Sequence, residues 1–139
     1  MRSSGYAQGA VAFFSLFTLG FAAECASHSG SIPSFSVSDG RSLQNDIHGN
    51  VFDSKLDFPL FLEAGHVATF SVGSATACLE NSSPFENTHI GQTDLANAIQ
   101  NILDECEKGD GTSRGGKVKV TGDTQAAVEL VLRDRALGC

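Results

Sequence analysis

The chain has 139 residues, with 9 Lys and Arg against 16 Asp and Glu, for a net charge of −7. An acidic chain with no basic stripe is a poor match for nucleic acid or for an anionic membrane surface. It has no Trp, and its one Tyr, Tyr6, lies in the first ten residues, so the rings that usually make sugar-stacking platforms are missing from the rest, with Phe left as the substitute.

In chain order, Arg2 precedes an apolar run over residues 11–23 that ends in small residues. That is the pattern of a secretory signal peptide, too short for a bilayer span, and no second apolar run follows it. Cleavage after Ala22 places Gly20 and Ala22 at the two small-residue positions, whereas cleavage after Ala23 would place bulky Phe21 at one of them. Glu24 argues against a lipidated Cys25, because that chemistry needs a small residue before the cysteine. The expected organisation is a signal peptide over 1–22, an N-terminal arm and loop region over 23–62, and an α/β core over 63–139. About 115 residues remain after cleavage, enough for one modest core and not for two domains.

Four cysteines, Cys25, Cys78, Cys106 and Cys139, survive cleavage. In an exported chain an even count reads as two disulfides with three possible connectivities, and the absence of C-x-x-C disfavours zinc. Cys78 at a strand end and Cys106 on a helix face suggest one bridge, which leaves Cys25 with Cys139.

Residues 27–42 are rich in Ser and Gly and read as an exposed arm, in which Phe35 and Val37 could form a short edge strand. Residues 45–57 mix turn formers with isolated apolar residues. Asp46, His48, Asn50 and Asp53 there do not follow the EF-hand order, so no metal is assigned. The apolar run 58–62, broken by Pro59, is expected to cover an edge of the core.

From His66 the pattern tightens. Ala68, Phe70 and Val72 alternate with polar positions as in a half-buried strand, Gly73-Ser74 turns the chain, and residues 75–79 suit a second strand. Asn81-Ser82-Ser83 is a glycosylation sequon, with Pro84 after it lowering its occupancy, and an unmodified polar loop is the competing reading. Thr93 then stands as an N-cap, and Leu95, Ile99, Ile102, Leu103 and Cys106 share one helical face opposite Asn97, Gln100, Asn101 and Asp104. Gly109 follows as a left-handed stop. The glycine-rich stretch 109–116 lacks the Gly-Lys-Ser/Thr end of a phosphate loop and precedes a strand, so it reads as a surface connection. Residues 117–120 alternate as a strand whose outer face is basic, and Arg114, Lys117 and Lys119, with Lys108 nearby, form the one positive cluster. Residues 124–138 suit a strand through Val128, Leu130 and Leu132, or a helix through Thr124 and Gly138. The strand is preferred because a helix would need more sheet to cover.

The expected fold class is therefore α+β: a small α/β sandwich with an antiparallel sheet, one main packed helix and disulfide stabilisation. No catalytic residues are assigned. The four histidines are scattered, and the nearest acid/base couple is His66 with Glu63 or Glu80, a ribonuclease-like arrangement that an acidic chain serves badly.

The order His66-Val67-Ala68, then Ala77-Cys78-Leu79-Glu80-Asn81-Ser82, then residues 98–109, then residues 113–120 resembles the second half of the fungal killer toxins of the killer-protein-four type. The resemblance spans roughly half of the chain left after cleavage and rests on spacing. It implies a small secreted α/β sandwich that acts on competitors or on a host plant, by blocking calcium channels through a basic surface. The chain departs from that family in its acidity and in Lys108-Gly109-Asp110, which stands where a second cysteine belongs. Cys78, Ser82-Ser83, Phe85, Asn87 and Asp94 also resemble the opening pattern of necrosis-inducing-factor effectors of the extracellular-protein-two type, with Leu95 in place of a cysteine. Both resemblances imply a secreted fungal effector or toxin. It would be a monomer without cofactor or stable membrane insertion that binds a host or competitor-cell protein, with Arg114, Lys117 and Lys119 as the binding surface. A small secreted hydrolase is the alternative from another class.

Overall fold

A computed structural model describes residues 21–27, 30–52 and 54–139. Most of the expected signal peptide, with His28 and Asp53, lies outside the described residues. The elements run β1 (Glu24–Cys25), β2 (Phe35–Ser36), α1 (Val37–Gly49), β3 (Leu60–Leu62), β4 (Val67–Val72), β5 (Ala75–Asn81), β6 (Thr88–Ile90), α2 (Gln92–Cys106), β7 (Thr112–Ser113), β8 (Gly116–Val120) and β9 (Val128–Asp134), followed by one 3-10 turn at Arg135–Leu137. The class is α+β, as the sequence led us to expect. Beside the main helix expected from the sequence, α2, a second helix, α1, covers the sheet.

Five strands form an antiparallel sheet in the order β1-β8-β9-β5-β4, flanked by two short pairs, β2-β7 and β3-β6. The hairpin β4-β5 turns at Gly73-Ser74 in the register Val72↔Ala75. The ambiguous C-terminal segment is a strand, β9. It lies between β5 and β8 with Val128, Leu130 and Leu132 buried, and both neighbours must be present to satisfy its backbone. Its alternation continues across the sheet: Ala75, Ala77 and Leu79 of β5, Leu130 and Leu132 of β9, and Val118 and Val120 of β8 line one face. Both helices pack on that face, α1 against β4 and β5 and α2 against β8 and β9. The result is a two-layer sandwich whose main core lies between helices and sheet.

The expected face of α2, from Leu95 to Cys106, is buried. Its ends differ from expectation. Gly91, not Thr93, occupies the N-cap, and Glu107, in extended backbone, ends the helix where a glycine stop was expected. Helix α1 replaces the exposed arm and loop expected over residues 37–49. It has only Val37, Leu43 and Ile47 as large buried residues, amid Ser, Asp, Asn and Gly of weak helix propensity. Tertiary contacts supply what propensity does not. Gly40 allows α1 to approach α2 closely, since a Cβ there would sit 2.7 Å from the Leu103 side chain. Gln92 donates from Nε2 to the carbonyls of Ile47 and His48, which satisfies acceptors orphaned at the end of α1. At the other end Asp39 accepts from the Ser74 amide at 2.8 Å and its hydroxyl at 2.7 Å, hooking α1 to the β4-β5 turn. These bonds hold the Asp39 carboxyl below its ordinary range, the Ser74 hydroxyl contributing most.

The disulfides join Cys25 to Cys106 and Cys78 to Cys139, not Cys78 to Cys106 as expected. The reason is strand parity. Ala77 and Leu79 face the helices, so Cys78 between them must face the other way, away from Cys106 on α2. Cys106 instead meets β1, and Cys78 meets the chain's last residue. The bridges close loops of 81 and 61 residues, each stabilising by about 4 kcal/mol in the chain-entropy model.

Candidate functional site

The sheet face turned away from the helices is built from the alternate residues of the same strands. It carries Glu24 of β1, Lys117 and Lys119 of β8, Glu129, Val131 and Arg133 of β9, and Thr76, Cys78 and Glu80 of β5. No helix of eight or more residues covers it among the described residues. The C-terminal turn crosses it, tied down by Cys78–Cys139 and by the Arg135 amide donating to the Ser74 carbonyl at 2.7 Å.

The structure brings two of the three expected binding residues onto this face and sets the third at its edge. Lys117 and Lys119 point outward from β8. Lys117 Nζ lies 3.7 Å from Glu24 and 3.8 Å from Glu129, and Lys119 stands directly across from Glu129 in the ladder. The face is therefore a lattice of alternating charge and not a positive patch. Pairs this exposed add little stability, on the order of 0–1 kcal/mol, but they leave a surface able to read a partner's charge pattern. Arg114 precedes β8 in a connection shaped by Gly115, whose φ is +77° and where a Cβ would collide with the Leu132 carbonyl. Its Nη1 donates to the Ser27 carbonyl at 3.3 Å. Lys108 donates to the Ser34 hydroxyl. The glycine-rich stretch is less loose than expected. Ser113 within it is fully buried, donates to the Cys106 carbonyl and accepts from the Gly115 amide.

Arg133 is the residue on this face that sequence reasoning missed. The signal was present: once residues 128–133 pair with β8, alternation places Arg133 on the side of Lys117. Arg114, Lys117 and Arg133 line one cleft of about 360 Å3 with Glu24, Ile32 and Leu137. A second cleft, of about 510 Å3, opens between β8 and the segment before β9, with Phe21 in its wall. Cleavage after Ala22 would remove that wall.

Asn81 is fully buried at the end of β5. Its Nδ2, the atom a glycan would occupy, donates to the carbonyls of Leu62 and Glu86, and its Oδ1 accepts from the Ser83 amide. The folded protein has no room for a glycan there, so the sequon is corrected to a structural motif that fastens three backbone segments.

Two histidine–carboxylate pairs occur among the described residues. His66 Nδ1 lies 3.4 Å from Glu63, the partner named from the sequence, with both side chains more than half exposed. His89 Nδ1 lies 2.9 Å from Asp123, which the sequence did not suggest, since 34 residues separate them. Asp123 also accepts from the His89 amide at 2.8 Å and the Thr88 hydroxyl. The His89 amide is the largest of the influences holding its carboxyl below the ordinary range. Phe61 packs against the His89 ring at 5.2 Å. Among the described residues no group of three or more His, Cys, Asp or Glu is placed to hold a metal, and no helix is long and apolar enough to cross a membrane. Asp46 and His48 lie in α1, and Asn50 caps it, its side chain closing on the backbone of Leu56.

No family model, curated protein or solved structure matches this chain.

Proposed function

We propose that this is a secreted, monomeric effector or killer-toxin-like protein of a fungus, acting by binding a host or competitor-cell protein through the open face of the sheet. The observation that carries the reading is the contrast on β8 and β9, whose inner residues are apolar and buried while Lys117, Lys119 and Glu129 stand outward in register. Two disulfides in a chain of this size suit an oxidising compartment, and the apolar run near Arg2 supplies a route to it. The two-layer sandwich is also the architecture that the killer-toxin resemblance implies. Interference with an ion channel follows from that resemblance, with Lys117 and Lys119 as the contacting cations.

The test is application of the purified secreted protein to competitor fungi and to leaf tissue, beside the double variant K117E/K119E. Growth inhibition or necrosis by the parent, lost in the variant, is the expected result. An inert parent, or a fully active variant that folds, sinks the reading. The His89–Asp123 pair favours a second one, a small hydrolase in which Asp123 orients the imidazole as a general base. Hydrolysis of RNA or ester substrates that disappears in H89A would replace binding with catalysis.

A further inference from the structure

The cleft at the β1-β8-β9 end of the open face contains two arginines whose bonding is incomplete. The Nε atoms of Arg114 and Arg133 are both buried, and neither has a hydrogen-bond partner among the described residues. The guanidinium is charged at all relevant pH and carries five donors, so a buried N–H left unmet is costly. The partners these side chains do have are weak ones. Arg133 donates from Nη2 to the Cys78 sulfur at 3.6 Å, and Arg114 from Nη1 to the Ser27 carbonyl at 3.3 Å. A disulfide sulfur is a poor acceptor.

Both arginines line the same cleft with Lys117 and Glu24. Lys117 is already paired with Glu24 and Glu129, whereas neither arginine has a carboxylate partner among the described residues, so two uncompensated cations stand together inside a protein of net charge −7. Such a reversal of local sign is the electrostatic footprint of an anion site. Ile32, Val131 and Leu137 form the remaining wall, which offers an apolar ligand body a place to lie. Glu24 near Lys117 disfavours a compact dianion, which would meet its negative charge with no apolar contact in return. The volume, about 360 Å3, is at the small end of the range for ligand pockets.

We propose that this cleft binds a carboxylate joined to a short apolar body, with the anion held between Arg114 and Arg133, whose guanidinium groups turn to bring their covered Nε–H groups to it. A carboxylate accepts from Nε and Nη of one guanidinium in the planar fork that lysine cannot reproduce. The inference goes beyond the proposed function and does not depend on it, since the ligand is small and the arginines need not touch the protein partner. The same chemistry comes from a free short-chain acid or from the C-terminal carboxylate of a peptide ending in an apolar residue.

The experiment is a titration of the secreted protein, 15N-labelled, followed at the arginine Nε–Hε resonances. The probes are hexanoate, a dipeptide ending in leucine with a free or an amidated C-terminus, and inorganic phosphate. Saturable shifts of both arginine signals by hexanoate assign a free acid, and shifts by the free-carboxylate dipeptide alone assign a chain end. Either result supports the site. R133K keeps the charge and the stem but loses the fork, and is expected to weaken binding by about tenfold or more, the effect of one charge-assisted hydrogen bond. R114Q serves as the second variant, with K55Q, at an exposed position outside the cleft, as a control that binds like the parent. No saturable shift from any carboxylate, a response to phosphate alone, or an R133K variant that binds as tightly as the parent overturns the proposal. None of these readouts requires toxin activity, so failure here and failure of the proposed function are separable.

Discussion

The two faces of the sheet are made from the same strands, yet they follow different rules. Toward the helices, Ala75, Ala77, Leu79, Val118, Leu130 and Leu132 are at least nine-tenths buried, and their identities answer to packing. One residue along in each strand, Lys117, Lys119, Glu129 and Arg133 answer to water, to one another and to whatever binds. The difference teaches where mutational cost and functional information separate: the covered face holds the fold, and the open face is free to vary its charges.

The largest effect should come from the one place where the open face carries structure. Cys139→Ser releases the C-terminal turn and frees the Cys78 thiol, and the loss of a 61-residue loop closure predicts destabilisation of about 4 kcal/mol in chemical denaturation. A negligible cost would mean that the tail does not fasten this face. Next is the covered face itself. Leu79→Ala removes a fully buried side chain from the central strand β5 and should cost about 2–5 kcal/mol, whereas Lys119→Ala, exposed on β8, should stay within about 0.5 kcal/mol. Equal costs for this pair would erase the distinction between the faces.

Gly40→Val tests the layer above the sheet. Its side chain would press into Leu103 and Phe35, and overpacking of this kind predicts a loss of about 1–3 kcal/mol together with loosened α1-α2 packing, visible as faster amide exchange in α1. The smallest effect is acid sensitivity. Asp39, Asp110 and Asp123 are each held below the ordinary value of 3.8, chiefly by the Ser74 hydroxyl, the Thr112 hydroxyl and the His89 amide respectively. A carboxyl depressed by folding contributes stability that is fully present above its unfolded value and is lost as pH falls through its folded one. Stability should therefore hold down to about pH 4 and decline below it, and Asp39→Asn should flatten part of that decline in denaturation curves taken across the acid range. A decline that begins near neutral pH would overturn this assignment.

The helix α2, the hairpin β4-β5 and the strand β8 were legible as soon as their apolar periods were read, because each buries a long stripe that no alternative structure hides as well. The candidate surface was legible in part. Lys117 and Lys119 belong to a clean alternation, but their neutralising partners Glu24 and Glu129 come from strands whose register is not local information. Asn81 looked like a modification site because its three residues fit a sequon, while its bonds to Leu62 and Glu86 exist only once β3, β5 and the following loop have met.

By itself, then, the amino-acid order determined an α+β chain with one strong helix, a central hairpin and an even set of cysteines, because periodicity and composition act over neighbouring residues. Tertiary structure decided the rest. Helix α1 forms from a weak helical sequence because Leu103, Gln92 and Ser74 are there to receive it. Cys78 pairs with Cys139 because a strand's side chains alternate across a sheet whose helices lie on one side only. Arg114 and Arg133 share a cleft because β8 and β9 pair in one register, and a register is set by burial across the whole sheet and not by either strand alone.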